Sequence, residues 1–111
     1  YFIEQVPKHI LAWSGQHVTL DNWWCWIDYP GLEYPRHRDP PSHKHFLQVY
    51  LNDQASELGI RIHAQPFGPA TDQAPYKLNS GVYLNSPNSI SHSVSQVSKD
   101  NIRMCVVAMY I

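Results

Sequence analysis

The chain has 111 residues, 43% hydrophobic and 15% charged, which suits one folded domain and excludes a disordered chain. Eight Lys and Arg against nine Asp and Glu give a formal charge of −1, without the basic footprint of a protein that binds nucleic acid or an anionic membrane. No apolar run reaches the roughly 18 residues of a membrane span, and no signal-peptide pattern opens the chain. The chain begins with Tyr1 instead of Met, so we expect it to be part of a longer protein.

The N-terminal segment has a weak helical pattern. Its apolar residues, Val6 and Ile10 among them, recur at helical spacing, and Pro7 limits the prediction to a short helix or two turns. We therefore divide the chain into a helical or irregular segment, residues 1–16, and a second, β-rich domain, residues 17–111.

From residue 17 onward, short apolar or alternating runs are separated by turn residues, which is the pattern of β-strands. The runs read HVTLDNWWCWIDY, HFLQVYLN, LGIRIHA, YKLNSGVYLN, ISHSV and IRMCVVAMYI. Such short strands with little helix predict an antiparallel sandwich or barrel such as a jelly roll. Strand alternation places Phe46, Gln48 and Tyr50 on one face of their strand, and Arg103 on the same face as Cys105 in the last strand.

The two cysteines, Cys25 and Cys105, lie 80 positions apart and lack the spacing of a disulfide framework or a CxxC motif. Each lies in an apolar strand-like run. We therefore expect two small buried thiols in a reducing, cytoplasmic compartment, and a disulfide between them is the less favoured alternative.

A possible metal-binding pattern joins two distant segments. His37 and Asp39 are two residues apart, so on an extended chain both side chains point the same way and can reach one ion. His92 lies 53 residues after Asp39. Two imidazoles and one carboxylate on one face of an octahedral ion form the 2-His-1-carboxylate arrangement of non-haem iron(II) oxygenases. The HxD pair alone is weak evidence, because a solvated loop histidine beside a surface aspartate has the same sequence.

Two further residues fit a ligand with a second carboxylate. Arg103 follows His92 by 11 residues and begins the last predicted strand, where its guanidinium can pair bidentately with a carboxylate. Tyr50, on the predicted inner face, can donate a hydrogen bond to the same group. Taken singly, a surface arginine and a core tyrosine explain these two residues equally well.

Three segments have the order and spacing of a known family. They are YPGLEYPRHRDPP at residues 29–41, HFLQVYLND at residues 45–53, and YLNSPNSISHSVSQVSKDNIRM at residues 83–104. In these segments the chain resembles the 2-oxoglutarate/Fe(II)-dependent oxygenases, especially their prolyl-hydroxylase-like branch. The resemblance covers most of residues 17–111, and the combination is far more specific than any single motif.

The resemblance implies a double-stranded β-helix (jelly roll) and a dioxygenase that hydroxylates a small-molecule or peptidyl substrate with release of succinate and CO₂. It implies Fe(II), 2-oxoglutarate and O₂ as cofactor and co-substrates, with stimulation by ascorbate. Carried over residue by residue, the iron ligands are His37, Asp39 and His92, and the 2-oxoglutarate contacts are Arg103, Tyr50 and Tyr29.

Two other interpretations remain open. His43 and His45 form an HxH pair, as in cupins, which also bind metals in a double-stranded β-helix. Alternatively, the chain is a non-enzymatic jelly-roll binding module whose binding surface includes the aromatic run at residues 23–26. The oxygenase would place His37, Asp39, His92 and Arg103 around one cavity, the cupin would gather His43 and His45, and the inert module would scatter all of them.

Overall fold

The structure, a computed structural model, describes residues 1–53 and 58–111 and is mostly β. A short 3-10 helix lies at Pro87–Ser89. The α-helix and the strands are α1 Gln5–Ser14, β1 Leu20–Asp28, β2 Tyr34–His37, β3 His45–Tyr50, β4 Arg61–His63, β5 Asp72–Gln73, β6 Gly81–Asn85, β7 Ser91–Val94 and β8 Arg103–Tyr110.

The strands form two antiparallel sheets. The first sheet has the order β1-β8-β3-β6 and the second sheet has the order β2-β7-β4-β5. Consecutive strands mostly lie in different sheets, so the chain crosses repeatedly from one sheet to the other. The predicted antiparallel β architecture with a short N-terminal helix is confirmed; the double-stranded β-helix is a finer assignment that stays a prediction.

The main core lies between the two sheets. Strand alternation turns one face of β3 and β8 inward, where Phe46, Tyr50 and Cys105 are buried together with Val94 of the second sheet and Ile60, which precedes β4. Gln48, also buried, shares this face of β3 and donates a hydrogen bond from Nε2 to Cys105 Sγ at 3.2 Å. The inner face that alternation predicted for β3 is therefore the observed one.

Helix α1 covers the opposite face of the first sheet. Its buried residues Val6 and Ile10 pack against Ala108 and Tyr110 of β8. Pro7 lies in the first helical turn, where a backbone N–H has no intrahelical partner, so it does not shorten the helix. The helix ends instead at Gly15, which has a left-handed φ of 72° and donates its N–H to the Leu11 carbonyl. The described part of the chain contains no helix with the length and apolar composition that a bilayer crossing needs.

The tryptophans of the aromatic run on β1 differ in exposure. Trp24 packs against the core between the sheets, whereas Trp23 is 57% exposed on the opposite face. Cys25, expected to be buried, is exposed on β1, an edge strand of the first sheet. Cys105 is buried as expected, and both cysteines are free thiols.

The fold predicts a specific cost for removing the helix contact. Ile10 is fully buried, so we expect Ile10→Ala to lower the free energy of unfolding by about 2–5 kcal/mol through the lost apolar contact and the cavity it leaves. Urea denaturation followed by circular dichroism measures this change. Ile3→Ala is the matched control, because Ile3 is 73% exposed and should change stability by less than about 0.5 kcal/mol. Equal effects of the two substitutions would mean that α1 does not pack as described.

Candidate metal centre

Two histidines meet across neighbouring strands of the second sheet. His37 ends β2 and is directly opposite His92 of β7 in the antiparallel register. Their ring centroids lie 4.3 Å apart with the ring planes at 65°. His92 is buried beneath the site, whereas His37 lies at its exposed side. The pairing therefore places two imidazoles, one buried and one accessible, on one face of the sheet.

Asp39 completes the cluster from the segment that follows β2. Its Oδ1 atom lies 3.5 Å from His37 Nε2 and 3.2 Å from His92 Nε2. One ligand atom from each of the three residues lies within 4.8 Å of the other two, close enough for all three to reach one ion. The structure thus brings together His37, Asp39 and His92, the three residues that the sequence marked as metal ligands.

The backbone sets the orientation of both imidazoles. His37 Nδ1 lies 2.8 Å from the Pro35 carbonyl oxygen, and His92 Nδ1 lies 3.0 Å from the Ile90 carbonyl oxygen. Because a carbonyl can only accept, Nδ1 carries the hydrogen in each ring. The Nε2 atoms face Asp39, and an Nε2 atom that has released its proton can offer a lone pair to a metal, as in metal-binding histidines whose second nitrogen donates to a carbonyl.

The charges in the cluster favour an ionised aspartate. Burial by itself would raise the pKa of the Asp39 carboxyl, but the hydrogen bond with His92 and the nearby histidines outweigh burial and hold this pKa below its usual value. Burial likewise opposes a charge on His92, yet the hydrogen bonds with Asp39 and with the Ile90 carbonyl raise the pKa of this imidazole. The Asp39 carboxyl group is therefore ionised at neutral pH.

The polar atoms of this cluster fit a divalent transition metal. Among the described residues, no Lys or Arg forms an ion pair with Asp39, whose close charged neighbours are histidines. Its second oxygen, Oδ2, is buried without a hydrogen-bond partner in this part of the chain. Two neutral imidazoles and one carboxylate are the donor set that non-haem Fe(II) uses, with further positions left for other ligands.

The cluster lies on a cavity of about 210 Å³ between the two sheets. Arg103 and His43 also line this cavity. Its walls are otherwise mainly apolar and aromatic, and they include Trp24, Trp26, Tyr34, Phe46, Val94 and Met109.

Arg103 has a protein partner that the sequence analysis missed. The side chain is 2% exposed, and its Nε and Nη2 atoms both donate to Oδ2 of Asp28, the Nε bond measuring 2.8 Å. Asp28 is directly opposite Arg103 in the β1–β8 register and is fully buried. The guanidinium also lies over the ring of Tyr34, 5.4 Å from its centroid. The carboxylate that balances the charge of Arg103 is therefore the Asp28 side chain.

The other two residues assigned to 2-oxoglutarate do not line the cavity. Tyr50 is fully buried, and its hydroxyl accepts a hydrogen bond from the Ile60 N–H at 3.0 Å. Tyr29 is 62% exposed, next to the turn at Gly31, so its side chain faces solvent. Their assignment as co-substrate contacts is corrected: Tyr50 is a core tyrosine and Tyr29 a surface one.

The HxH pair separates, which argues against the cupin alternative. His45 is buried in β3, and its Nδ1 forms a hydrogen bond of 2.8 Å with the hydroxyl of Tyr83 on β6. His43 instead faces the metal cluster, with Nδ1 at 3.6 Å from Asp39 Oδ2. The sequence analysis did not connect His43 with Asp39, although a spacing of four residues across two prolines was a signal for a tight turn.

Similar folds occur in solved structures. The crystal structure of EvdMO1 matches with a TM-score of 0.77 and 18% identity, over 98% of this chain and 30% of that chain. AviO1 from Streptomyces viridochromogenes Tue57 matches with a TM-score of 0.73 and 16% identity, over 96% of this chain and 57% of that one. The nickel complex of ThoJ, a non-haem monooxygenase, matches with a TM-score of 0.72 and 13% identity, over 96% of this chain and 49% of that one.

These likenesses lie at the level of fold, and this chain spans 30% to 57% of the length of the three structures. No protein-family profile matches the sequence. No curated protein matches it either.

The expected 2-oxoglutarate-dependent dioxygenase function is corrected by these findings. The neighbour whose name states its chemistry is a non-haem monooxygenase. Within the protein, Arg103 is paired with Asp28, and the Tyr50 hydroxyl accepts a hydrogen bond from the Ile60 backbone. The predictions of a dioxygenase and of 2-oxoglutarate as its co-substrate are therefore both wrong.

The buried ion pair predicts an asymmetric response to mutation. Asp28→Asn leaves the Arg103 charge buried without a counter-ion, so we expect the free energy of unfolding to fall by about 3–5 kcal/mol in urea denaturation. Replacing both residues, as Asp28→Leu with Arg103→Met, should recover most of that loss, because no uncompensated charge remains. Asp21→Asn, at an exposed position of the same strand, is the control. A double variant no more stable than Asp28→Asn would contradict the pairing.

Because the pKa of His45 is lowered in the folded protein, we expect the stability of the fold to depend on pH. Burial, and to a lesser extent Lys44, lowers the pKa of this imidazole below the usual value of about 6.5. The unfolded chain therefore binds the proton more readily, and stability should fall as the pH drops below about 6.5. His45→Asn keeps a hydrogen-bonding partner for the Tyr83 hydroxyl but removes the titrating group. Urea midpoints between pH 8 and pH 5 should fall more steeply for the unmodified protein, and parallel curves would refute the prediction.

Proposed function

We propose that the chain carries the metal centre of a non-haem Fe(II) monooxygenase, with His37, Asp39 and His92 as the ligands. The observation that supports this most strongly is the orientation of the two imidazoles. Backbone carbonyls hold Nδ1–H of both rings, and both Nε2 atoms are aimed at one carboxylate oxygen. A neutral donor pair beside an anionic oxygen is arranged for a dication. The fold likeness to ThoJ, a non-haem monooxygenase crystallised with nickel, agrees with this class.

Each ligand has a distinct task in the proposed site. Asp39 supplies the negative charge that partly neutralises a dication, and its depressed pKa keeps it ionised. His92 anchors the buried side, whereas the more exposed His37 holds the side nearer solvent. When bound, Fe(II) would supply the activation of O₂: one oxygen atom enters an organic substrate, and the other leaves as water with two electrons from a reductant and two protons from solvent.

The cavity residues would position the substrate and exclude water. Trp24, Phe46 and Met109 give the space beside the cluster an apolar wall, which suits a small apolar group of the substrate. Gln48 Oε1 and Trp24 Nε1 are buried without hydrogen-bond partners in the described part of the chain. One acceptor and one donor on an apolar wall can orient a polar substituent of the same substrate.

Metal binding is the first test of this proposal. We expect the chain to bind one Fe(II), or Co(II) or Ni(II) as stand-ins, in calorimetric titrations under anaerobic conditions. Asp39→Ala should weaken that binding by more than about 100-fold, because losing a supporting group alone costs roughly 10–100-fold and this change removes the anionic ligand itself. His17→Asn is the control, since His17 is an exposed histidine outside the cluster.

Oxygen insertion is the second test. Iron-loaded protein with ascorbate as reductant and isotopically labelled O₂ should add one labelled oxygen to a member of a panel of small organic molecules, as measured by mass spectrometry. Asp39→Ala at matched folding should show no labelled product. If Asp39→Ala binds metal as tightly as the unmodified chain, the proposed ligand set is wrong; labelled product from the variant would place the oxidation chemistry at another site.

A further inference from the structure

His43 and Asp39 present complementary buried atoms to each other across a short gap. His43 Nδ1 and Asp39 Oδ2 are each buried, and neither has a hydrogen-bond partner in the described part of the chain. The two atoms are 3.6 Å apart, a few tenths of an ångström beyond an ordinary hydrogen bond. A buried donor and a buried acceptor each cost stability when unpaired, so their closeness indicates a contact that a small shift completes.

The local backbone holds the two side chains in this relation. Residues 40–42 are Pro-Pro-Ser, and the His43 N–H donates to the Pro40 carbonyl at 3.0 Å, which closes a turn between the two residues. Pro40 and Pro41 have fixed φ angles, so the turn has little freedom to rearrange. His43 is thereby directed back toward the carboxylate of Asp39.

The two oxygens of Asp39 face different partners. Oδ1 is the atom near Nε2 of both His37 and His92, whereas Oδ2 is turned toward His43. His43 has no nitrogen in the group of ligand atoms that lie within 4.8 Å of one another, which contains His37, Asp39 and His92. The carboxylate therefore has one oxygen for an ion and one for a supporting donor.

We propose that His43 is a positioning residue for the metal centre, donating Nδ1–H to Asp39 Oδ2 while Oδ1 binds the ion. This inference rests on the proposed function, since it requires an ion at the cluster. The hydrogen bond holds the carboxylate in one-oxygen ligation and prevents Oδ2 from turning onto the ion. A coordination position then stays open for the other reactants.

Two substitutions separate the donor role from packing. The Asn amide nitrogen can take the place of Nδ1, whereas Leu fills similar space without a donor. In Co(II) titrations of the whole chain, we expect His43→Leu to weaken affinity by about 10–100-fold and His43→Asn to remain within a few-fold of the unmodified chain. His17→Asn serves again as the control for an exposed histidine. Circular dichroism and urea midpoints establish that each variant is folded.

The visible absorption of bound Co(II) supplies a readout beyond affinity. His43→Asn should leave the band positions unchanged, because His43 is not a ligand, and His43→Leu should shift them as the carboxylate changes its ligation. The inference is overturned if His43→Leu binds Co(II) like the unmodified chain, if Asn fails to rescue, or if Asn alone shifts the bands as loss of a ligand would. Failure of the unmodified chain to bind Co(II) in an Asp39-dependent way would instead refute the proposed function.

Discussion

The register between β2 and β7 is the constraint on which the candidate site depends. It sets His37 directly opposite His92, and Asp39 follows where the chain leaves β2. Because side chains alternate along a strand, a slip of one residue would turn one histidine to the opposite face of the sheet. Val94 pairs with Tyr34 of β2 and is buried in the core, and the register shifts by one residue between this pair and the histidine pair. Burial of Val94 therefore anchors the two strands, and the register shift sets which residue of β2 faces His92.

The first sheet forms the cavity wall opposite the candidate metal centre and contains the buried Asp28–Arg103 ion pair. Its long strands β1 and β8 carry Asp28 and Arg103 as a directly opposed pair, with the Tyr34 ring of the second sheet over the guanidinium. A buried guanidinium needs a counter-ion or an equivalent set of acceptors. Asp28 supplies the counter-ion from within the same sheet, and the contact of the guanidinium with the Tyr34 ring links the pair to the second sheet.

Prediction from sequence succeeded where local pattern determines structure. Alternation identified the inner face of β3, and extended spacing explained why His37 and Asp39 point the same way. It failed where a residue's partner is set by long-range register: Asp28 and Arg103 are 75 positions apart, and nothing local distinguishes a structural carboxylate partner from a ligand's. His43 and His45 could not be separated either, because their roles depend on where β3 begins, and strand ends are poorly marked in sequence.

The orientation of the two imidazoles has a consequence for how this site can change over evolutionary time. Each ring is held by the carbonyl two residues earlier in its own segment, at Pro35 and at Ile90. A carbonyl is present whatever side chain a position carries, so substitutions in the surrounding walls cannot remove these acceptors. Amino-acid substitutions in the cavity lining therefore leave the tautomers of both histidine rings unchanged. A lineage can reshape the walls for a new substrate while both histidines keep their Nε2 atoms aimed at the same place.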